Sequence, residues 1–569
     1  MYTASAAFLD SLQEAGVAHV FANFGSDHPA LIEAIAAARA AGRPVPAFVT
    51  CPNEMVALSA AQGYAQLTGR AQAVVVHVDC GTQALGGAVH NVMRSRTPVL
   101  IYAGMSPATQ EGEHRGGRNE FIHWLQDVAD QRGILRPYMK YDHEIRSSRN
   151  APQIVHRALQ IAESDPKGPV YLVAARETME GEASPPSTDT ALWRPLPPSP
   201  APDEIVGEIA AAIAGARRPL IVTSYVGRNL VAVDALRRLC RDFAVGVVES
   251  APSVMNYPHD DELYLGAYWN EPTQNPALAE ADVVLVVDSD VPWIPAVNAP
   301  SPQAAVFHVD VDPLKESIPL WYLKARRSAR ADGALALRQI HEALGRIADG
   351  TRVDERRAHY VAARRDRLAE LARREAPSAP RVSAEWLTAC VRRAIDDEAI
   401  VLNEGITNYT AIANHIAPRR PGSFFASGGS SLGWSGGAAI GMKLAQPERM
   451  VVALTGDGSY MFSQPSTVHW MARRYQTPFL QIVYNNGGWR APRFSTLALH
   501  PDGHASRAGD LDLSFNPSPD YSGIAAAAGG ALAIRIERPE EVEAGIARAV
   551  EAVREEKRCA VVDARLADD

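Results

Sequence analysis

Short runs of β-branched and other apolar residues alternate with alanine-rich stretches along most of the chain. The runs are apolar at nearly every position, which is typical of strands that helices cover on both faces. Strand followed by helix, repeated, predicts an α/β fold with parallel sheets. We expect strands at 46–50, 73–78, 99–103, 170–174, 220–225, 245–249, 283–288, 305–309, 400–403, 450–455, 479–484 and 560–564.

Two stretches interrupt this pattern. Residues 183–203 are rich in proline, serine and threonine, and they predict an extended linker because proline at this density excludes a helix interior or a central strand. Residues 351–383 begin as a charged helix and end in PSAPRVS, which indicates a connecting arm. The division predicts three doubly wound parallel-sheet domains, at 1–182, 204–350 and 384–569, with ligands bound beyond the carboxyl ends of the strands.

Charge and cysteine content narrow the class of protein. The 569 residues carry a formal charge of −9, and this acidic balance argues against nucleic acid or an anionic membrane as a partner. The five cysteines are scattered without zinc-site spacing, which fits a reducing compartment. The first residues predict an amphipathic helix and not a signal peptide, and no apolar run is long enough to span a membrane. We therefore expect a cytoplasmic protein.

The strongest chemical signal is a pair of motifs at the ends of two successive strands of the last domain, 455–459 (TGDGS) and 485–488 (NNGG). Asp457 and the Asn486 amide supply hard oxygen ligands, which Mg2+ prefers, with water and phosphate oxygens in its remaining positions. Either motif alone is commonly just a turn or loop. Their pairing across one β-α-β unit is far more specific.

The glycines of the first motif favour a phosphate ligand. Gly456 and Gly458 allow backbone N–H groups to approach a phosphate, and a helix that begins after Ser459 adds its dipole. We therefore expect a diphosphate that is bridged to the protein through Mg2+.

The spacing of the two motifs, GDG followed by 26 residues and then NN, resembles the signature of thiamine diphosphate-dependent enzymes. The three-domain layout is similar to that of their acetolactate synthase and benzoylformate decarboxylase branch. The resemblance implies a pyrimidine-binding domain, a middle domain and a diphosphate-binding domain, in that order. It also implies that Mg2+ is bound by the side chains of Asp457 and Asn486 and by the carbonyl of Gly488. Ser459 is expected to contact the diphosphate.

The first domain contains a stretch that matches the family's activating glutamate. Residues 53–55 (NEM), followed by 61–65 (AQGYA), make Glu54 the candidate. In the family this carboxyl group hydrogen-bonds a nitrogen of the aminopyrimidine ring and favours the imino tautomer. Such proton work favours a partly desolvated carboxyl group. The alternative is a glutamate that only interacts with a helix N-terminus.

Other segments resemble benzoylformate decarboxylase in particular. The turn at 23–26 (NFGS) implies a substrate contact for Ser26, and His77 aligns with one of two proton-transfer histidines. The loop at 427–433 (SGGSSLG) implies that Leu432 bends the cofactor and that the Ser430 carbonyl receives its amino group. The turn at 403–407 (NEGIT) implies two diphosphate contacts, Ile406 and Thr407.

Departures from the relatives bear on the reaction. Residues 290–295 (DVPWIP) stand where benzoylformate decarboxylase has its second histidine, and 78–83 replace the PGPGATN loop of acetolactate synthases. Gln126 either senses the substrate or is a surface polar residue. Arg490 or Arg493 either binds a carboxylate or lies on the surface.

The resemblance implies a Mg2+- and thiamine diphosphate-dependent enzyme that decarboxylates a 2-oxo acid non-oxidatively, with possible carboligation to a hydroxyketone. An acetolactate synthase-like transferase and a benzaldehyde lyase-type acyloin lyase, which acts on a hydroxyketone or aldehyde, are the alternatives. An inactive cofactor-binding subunit is the alternative of another class. The middle domain lacks a GxGxxG turn, which favours a structural role over binding of FAD or a nucleotide. In the family the cofactor lies between two chains, so we expect a homodimer or homotetramer.

Overall fold

Three sheets of six parallel strands, each flanked by helices, make up the protein in the computed structural model, which describes residues 2–185, 189–377 and 380–567. The predicted fold class is therefore confirmed. Both predicted linkers include residues outside the described ranges, and the domain limits stay a prediction. No helix in the described ranges combines the length and the apolar content that crossing a membrane requires.

The first sheet has the strand order β2-β1-β3-β4-β6-β5. Its strands are β1 His19–Ala22, β2 Ala47–Thr50, β3 Gln72–Val76, β4 Val99–Met105, β5 Tyr141–Glu144 and β6 Val170–Ala175. Its helices are α1 Ala4–Glu14, α2 Pro29–Ala40, α3 Glu54–Thr68, α4 Val78–Ala84, α5 Ala88–Arg94, α6 Ile122–Leu125, α7 Ala151–Glu163 and α8 Arg176–Glu180.

The middle sheet has the order β12-β11-β10-β7-β8-β9. Its strands are β7 Pro219–Thr223, β8 Gly246–Ser250, β9 Tyr264–Tyr268, β10 Val283–Val287, β11 Ala305–Asp310 and β12 Arg327–Arg330. Its helices are α9 Asp203–Gly215, α10 Leu230–Phe243, α11 Pro276–Glu280 and α12 Gly333–Leu344. The expected charged helix follows as α13, Gly350–Arg374.

The third sheet has the order β14-β13-β15-β16-β18-β17. Its strands are β13 Ile400–Glu404, β14 Phe424–Ala426, β15 Val451–Gly456, β16 Leu480–Asn485, β17 Leu532–Ile536 and β18 Ala560–Arg565. Its helices are α14 Ala384–Ala394, α15 Tyr409–Ile416, α16 Trp434–Ala445, α17 Asp457–Phe462, α18 Pro465–Arg474, α19 Arg490–Leu499, α20 His504–Arg507, α21 Tyr521–Gly529 and α22 Val542–Arg554.

All twelve expected strands are present to within two residues at each end, and six further strands were not expected. Five of those six, β5, β9, β12, β14 and β17, lie at sheet edges. Edge strands are short or carry polar residues on an uncovered face, so their sequences lack a continuous apolar run. The sixth, β1, is an inner strand of only four residues that begins with a histidine.

The two outer domains pack on each other through α3 and α16, and glycines permit the close approach. A Cβ at Gly441 would lie 1.9 Å from the carbonyl oxygen of Ala60, and a Cβ at Gly63 would lie 2.4 Å from that of Ala438. One apolar core accordingly contains residues from both outer sheets. Their carboxyl edges therefore have a fixed relative position within the protomer.

Candidate active site

Glu54 is placed at the carboxyl edge of the first sheet as the first residue of α3. Asn53 caps this helix by accepting a hydrogen bond from the backbone N–H of Val56 at 3.1 Å. The half-buried Glu54 side chain accepts a hydrogen bond from Asn23 Nδ2 at 2.8 Å, just beyond β1. A polar group from one strand end thus orients the carboxylate that follows the neighbouring strand.

His77, which follows β3, is held on both ring nitrogens. Its Nδ1 lies 2.5 Å from Asp27 Oδ1, and its Nε2 lies 2.8 Å from Gln126 Oε1. The other oxygen of Asp27 accepts a hydrogen bond from the backbone N–H of Val78 at 3.1 Å. Because both ring nitrogens face oxygen acceptors, the doubly protonated imidazolium satisfies both contacts.

The electrostatics of this pair favour a charged histidine. The hydrogen bond that His77 donates to Asp27 raises the pKa of His77, although burial opposes this. Burial also raises the pKa of Asp27, but His28 and His77 outweigh it and hold that pKa below its ordinary value. Asp27 is therefore a buried carboxylate that remains ionised beside two histidines.

The turn before α2 brings the predicted substrate contact close to His77. Ser26 Oγ is buried and has no hydrogen-bond partner among the described residues. A Cβ at Gly25 would lie 2.0 Å from His77 Nδ1, so only glycine fits against the imidazole. Sequence reasoning named Ser26, His77 and Gln126 and missed Asp27, although Asp27 directly follows Ser26 in the same turn.

The first diphosphate motif differs in one detail from the expectation. Gly456 is the last residue of β15, and α17 begins at Asp457, not after Ser459 as expected. The helix starts early because Gly456 takes extended angles directly before it. The backbone N–H of Ser459 thus lies inside the first turn of α17, and Ser459 is buried.

The Asp457 carboxylate ties the two motifs together. One oxygen accepts the backbone N–H of Gly458 at 2.8 Å, and the other accepts those of Gly487 and Gly488 at 2.8 and 3.1 Å. Burial raises the pKa of Asp457, and these three N–H groups only partly offset it. A buried carboxylate of this kind is stabilised in its charged form by a nearby cation.

Asn486 lies beside the turn that follows β13. Its Nδ2 donates to Thr407 Oγ1 at 3.2 Å, while its Oδ1 is buried and has no partner within the described ranges. Ile406, which precedes Thr407, has a φ of +23°, which is unusual for a residue with a β-branched side chain. Two residues predicted to contact the diphosphate therefore adjoin a predicted metal ligand.

Glu404 ends β13 and anchors the start of α16. Its buried carboxylate accepts three backbone N–H groups, those of Gly433, Trp434 and Ser435, at 2.7 to 2.9 Å. Burial raises the pKa of this carboxyl group. Sequence reasoning noticed the motif around Glu404 but gave this side chain no role.

The loop that precedes α16 is fixed from the other side by α5. Asn91 donates to the carbonyl of Ser431 at 2.8 Å and accepts its N–H at 2.9 Å. In this loop Ser430 is exposed with a φ of +67°, and Leu432 is half-buried. The loop is thus rigidly held at its centre, with Ser430 and Leu432 on either side of the anchored residue.

A cavity of about 510 Å3 opens beside the second motif, and every residue that lines it belongs to 486–565. Arg490, Arg493 and Arg565 give its lining a positive character. Arg490 also donates to the carbonyl of Asn486 at 3.0 and 3.1 Å. Both predicted arginines therefore lie near the motif and not on a remote surface.

The predicted residues form two groups within one protomer. Glu54, His77 and Gln126 lie at the edge of the first sheet, while Asp457 and Asn486 lie at the edge of the third. In the part of the chain that the structure describes, no hydrogen bond connects the two groups.

Three family descriptions match the chain in succession. They are the N-terminal TPP binding domain of thiamine pyrophosphate enzymes at 2–134, their central domain at 206–318 and their C-terminal TPP binding domain at 405–564. The chain therefore belongs to the thiamine pyrophosphate enzyme family, and the family resemblance found in the sequence is confirmed.

Relatives match over nearly the whole chain. Benzoylformate decarboxylase of Pseudomonas aeruginosa is 26% identical, over 97% of this chain and 98% of that protein. Acetolactate synthase of Bacillus subtilis is 24% identical, over 94% and 88%. The structure of thiamine diphosphate-dependent 4-hydroxybenzoylformate decarboxylase of Rhodococcus jostii RHA1 superimposes with a TM-score of 0.79 at 21% identity, covering 100% of this chain and 99% of that one. This last likeness concerns the fold.

Proposed function

We propose that the protein is a Mg2+-dependent thiamine diphosphate enzyme that decarboxylates a small 2-oxo acid without oxidation. The observation that carries the proposal is the buried Asn486 Oδ1, which has no hydrogen-bond partner among the described residues and lies beside the buried Asp457 carboxylate and Thr407. An amide oxygen and a carboxylate suit Mg2+, which keeps its other positions for water and phosphate oxygens.

The residues present fit both the metal and the diphosphate. Asp457, Asn486 and the Gly488 carbonyl would hold Mg2+. The diphosphate would lie against the backbone of Gly456 and Gly458. Its other proposed contacts are Ser459, Ile406 and Thr407. At the other end of the cofactor, the Ser430 carbonyl would accept a hydrogen bond from its amino group, and Leu432 would pack against it.

Thiamine diphosphate, when bound, supplies a carbon nucleophile and an electron sink for cleavage of a bond next to a carbonyl. Glu54 would hold a proton against the aminopyrimidine ring, and Asn23 keeps its carboxyl group in place. His77 would deliver a proton from Nε2, the atom that now faces Gln126. Ser26 Oγ would donate to the substrate carboxylate.

The route after loss of CO2 depends on how readily a proton arrives. Asp27 raises the pKa of His77 and so favours its protonated form, which favours release of an aldehyde. The segment 290–295 contains no second histidine, which leaves room for carboligation to a hydroxyketone. A panel of 2-oxo acids, with thiamine diphosphate and Mg2+ and with CO2 and hydroxyketones measured separately, tests the proposal. Absence of CO2 release across the panel would overturn it.

A second candidate is an acetolactate synthase-like reaction. The 24% identity to the Bacillus subtilis acetolactate synthase over most of both chains supports it. Formation of a 2-hydroxy-2-methyl-3-oxo acid from pyruvate, in place of an aldehyde, would favour this reaction over simple decarboxylation.

We also propose that the site is shared between two copies of the chain, because no hydrogen bond or ion pair among the described residues of one protomer joins Glu54 to Asp457. Co-expression of Glu54→Gln with Asp457→Asn tests this. Each variant alone is inactive, but a mixed dimer has one intact site, so about a quarter of wild-type activity is expected on random pairing. Activity no higher than that of the separate variants would place the whole site within one chain.

A further inference from the structure

A cavity of about 290 Å3 lies between the middle and third sheets. It is lined by residues that follow β7, β8, β9 and β10 on one side and β13 and β14 on the other. The middle sheet reverses its strand order between β7 and β10, and ligands in doubly wound sheets bind at such a point. Ile406 and Ser430 also line the cavity, so it adjoins the proposed cofactor site.

Five aromatic rings contribute to the walls of the cavity. The rings are those of Tyr225, Tyr268, Trp269, Trp293 and Tyr409. Trp269 stacks on Tyr409 with 4.1 Å between ring centroids and 26° between planes. Tyr409 in turn donates its hydroxyl to the carbonyl of Pro252, so this part of the wall is fixed in place.

Three carboxylates face the cavity, and two of them are already neutralised. Asp290 pairs with Arg96 and Lys315, at 2.8 Å each. Glu404 accepts the backbone N–H groups at the start of α16. The third carboxylate is that of Glu271. Its Oε2 accepts a hydrogen bond from the backbone N–H of Trp269 at 2.8 Å, while its Oε1 is buried without a partner among the described residues.

An unneutralised carboxylate among aromatic rings selects for a cation. The carboxylate supplies charge-assisted acceptors, and aromatic faces attract a cation further. The Glu271 carboxylate repels the phosphates of a nucleotide. Arg94, the one cationic side chain among the described residues that line the cavity, already donates to Ser317. A flat guanidinium matches both the rings and the carboxylate.

We propose that this cavity binds the cationic end of the substrate side chain, so that the enzyme prefers 2-oxo acids with a guanidinium or ammonium group at the end of their side chain. The inference rests on the proposed decarboxylation, but binding of a cation in the cavity can be measured without that reaction. Glu271 is the specificity-determining residue.

A matched pair of substrates separates charge from shape. The probes are 5-guanidino-2-oxopentanoate and its neutral ureido analogue, which has the same length and nearly the same outline. With the wild-type holoenzyme we expect kcat/KM for the guanidino acid to be at least about tenfold higher, in line with hydrogen bonds to charged groups. Equal values for the two substrates would overturn the inference.

Two variants assign the preference to one side chain. Glu271→Gln keeps an oxygen for the Trp269 N–H but removes the charge, and it is expected to bring the guanidino-to-ureido ratio close to one. Glu280→Gln, another middle-domain glutamate that pairs with His359 and does not line the cavity, is expected to keep the wild-type ratio. A ratio that Glu271→Gln leaves unchanged contradicts the proposal.

A binding measurement separates failure of this inference from failure of the proposed function. Calorimetric titration of 5-guanidinopentanoate and 5-ureidopentanoate into the holoprotein requires no decarboxylation. If no 2-oxo acid releases CO2 but the guanidino acid binds more tightly and depends on Glu271, the proposed function fails and the cavity assignment stands. Equal binding of the two acids overturns the assignment whatever the enzyme does with 2-oxo acids.

Discussion

Asp27 Oδ1 lies 2.5 Å from His77 Nδ1, and this contact favours the charged form of a histidine whose other ring nitrogen faces Gln126. Asp27 is a positioning residue, because it acts through the imidazole. It fixes which ring nitrogen faces Asp27 and leaves Nε2 to contact Gln126. The same carboxylate holds His28 at 2.9 Å.

Replacing Asp27 with asparagine is expected to lower the pKa of His77, because the hydrogen bond that His77 donates to the carboxylate is the largest cause that raises it. Titration of the histidine resonances by NMR checks this directly. The acid limb of product formation should be unchanged, while the alkaline decline governed by His77 moves to lower pH. Asp366→Asn, which removes an exposed carboxylate from α13, serves as a control and is expected to leave both unchanged.

The same pair predicts how stability depends on pH. Since folding raises the pKa of His77, its contribution is fully present below the unfolded-state value near 6.5 and is lost as pH rises through the folded-state value. Urea unfolding across this range should show wild-type stability falling relative to Asp27→Asn as pH rises. A constant difference between the two proteins would contradict the assignment.

Glu54→Gln is expected to reduce turnover by about 10²- to 10⁴-fold, the usual size of a lost general acid–base contribution. The amide keeps an oxygen for Asn23 Nδ2, so cofactor binding should change little. Single-turnover rates and calorimetric titration with thiamine diphosphate measure the two effects separately. An undiminished rate would sink the assigned role, and loss of binding alone would indicate a structural residue.

Asn486→Ala removes the unpartnered Oδ1, and it is expected to raise the Mg2+ concentration needed for cofactor binding by about tenfold or more. Titration of Mg2+ at fixed thiamine diphosphate, followed by calorimetry, checks this, and a chelator should release the cofactor from the wild-type protein. Asn150→Ala changes an exposed asparagine whose side chain makes no capping hydrogen bond, and it should behave as wild type.

Gly441→Ala is expected to destabilise the protein by about 1 to 3 kcal/mol, because its methyl group would overlap the Ala60 carbonyl where α16 crosses α3. Gly207→Ala places the same methyl group on an exposed face of α9 with nothing within 4 Å. That change should stabilise by about 0.5 to 1 kcal/mol, since alanine favours a helix. Chemical unfolding of both variants measures the contrast; similar midpoints would show that the helix crossing adapts.

The inner strands and the metal-binding motifs were predictable because their signals are local. Strands such as β10 and β15 are continuous apolar runs covered on both faces, and Asp457 and Asn486 directly follow two neighbouring parallel strands. Edge strands such as β12, with the sequence RSAR, have no such run, since one side lacks a partner strand. The start of α17 at Asp457 was missed by three residues, because helix ends depend on local backbone angles.

The sequence by itself determined the α/β class, the thiamine pyrophosphate family and the residues proposed to hold the cofactor, because periodicity and motif spacing are properties of neighbouring residues. Only the tertiary structure placed Asp27 against His77, fifty positions apart, and Glu404 under the start of α16. It alone also brought Glu271 of the middle domain to the cavity that Ile406 lines. Contacts between distant segments leave no periodic signal in the chain, since packing and burial decide them once the sheets have formed.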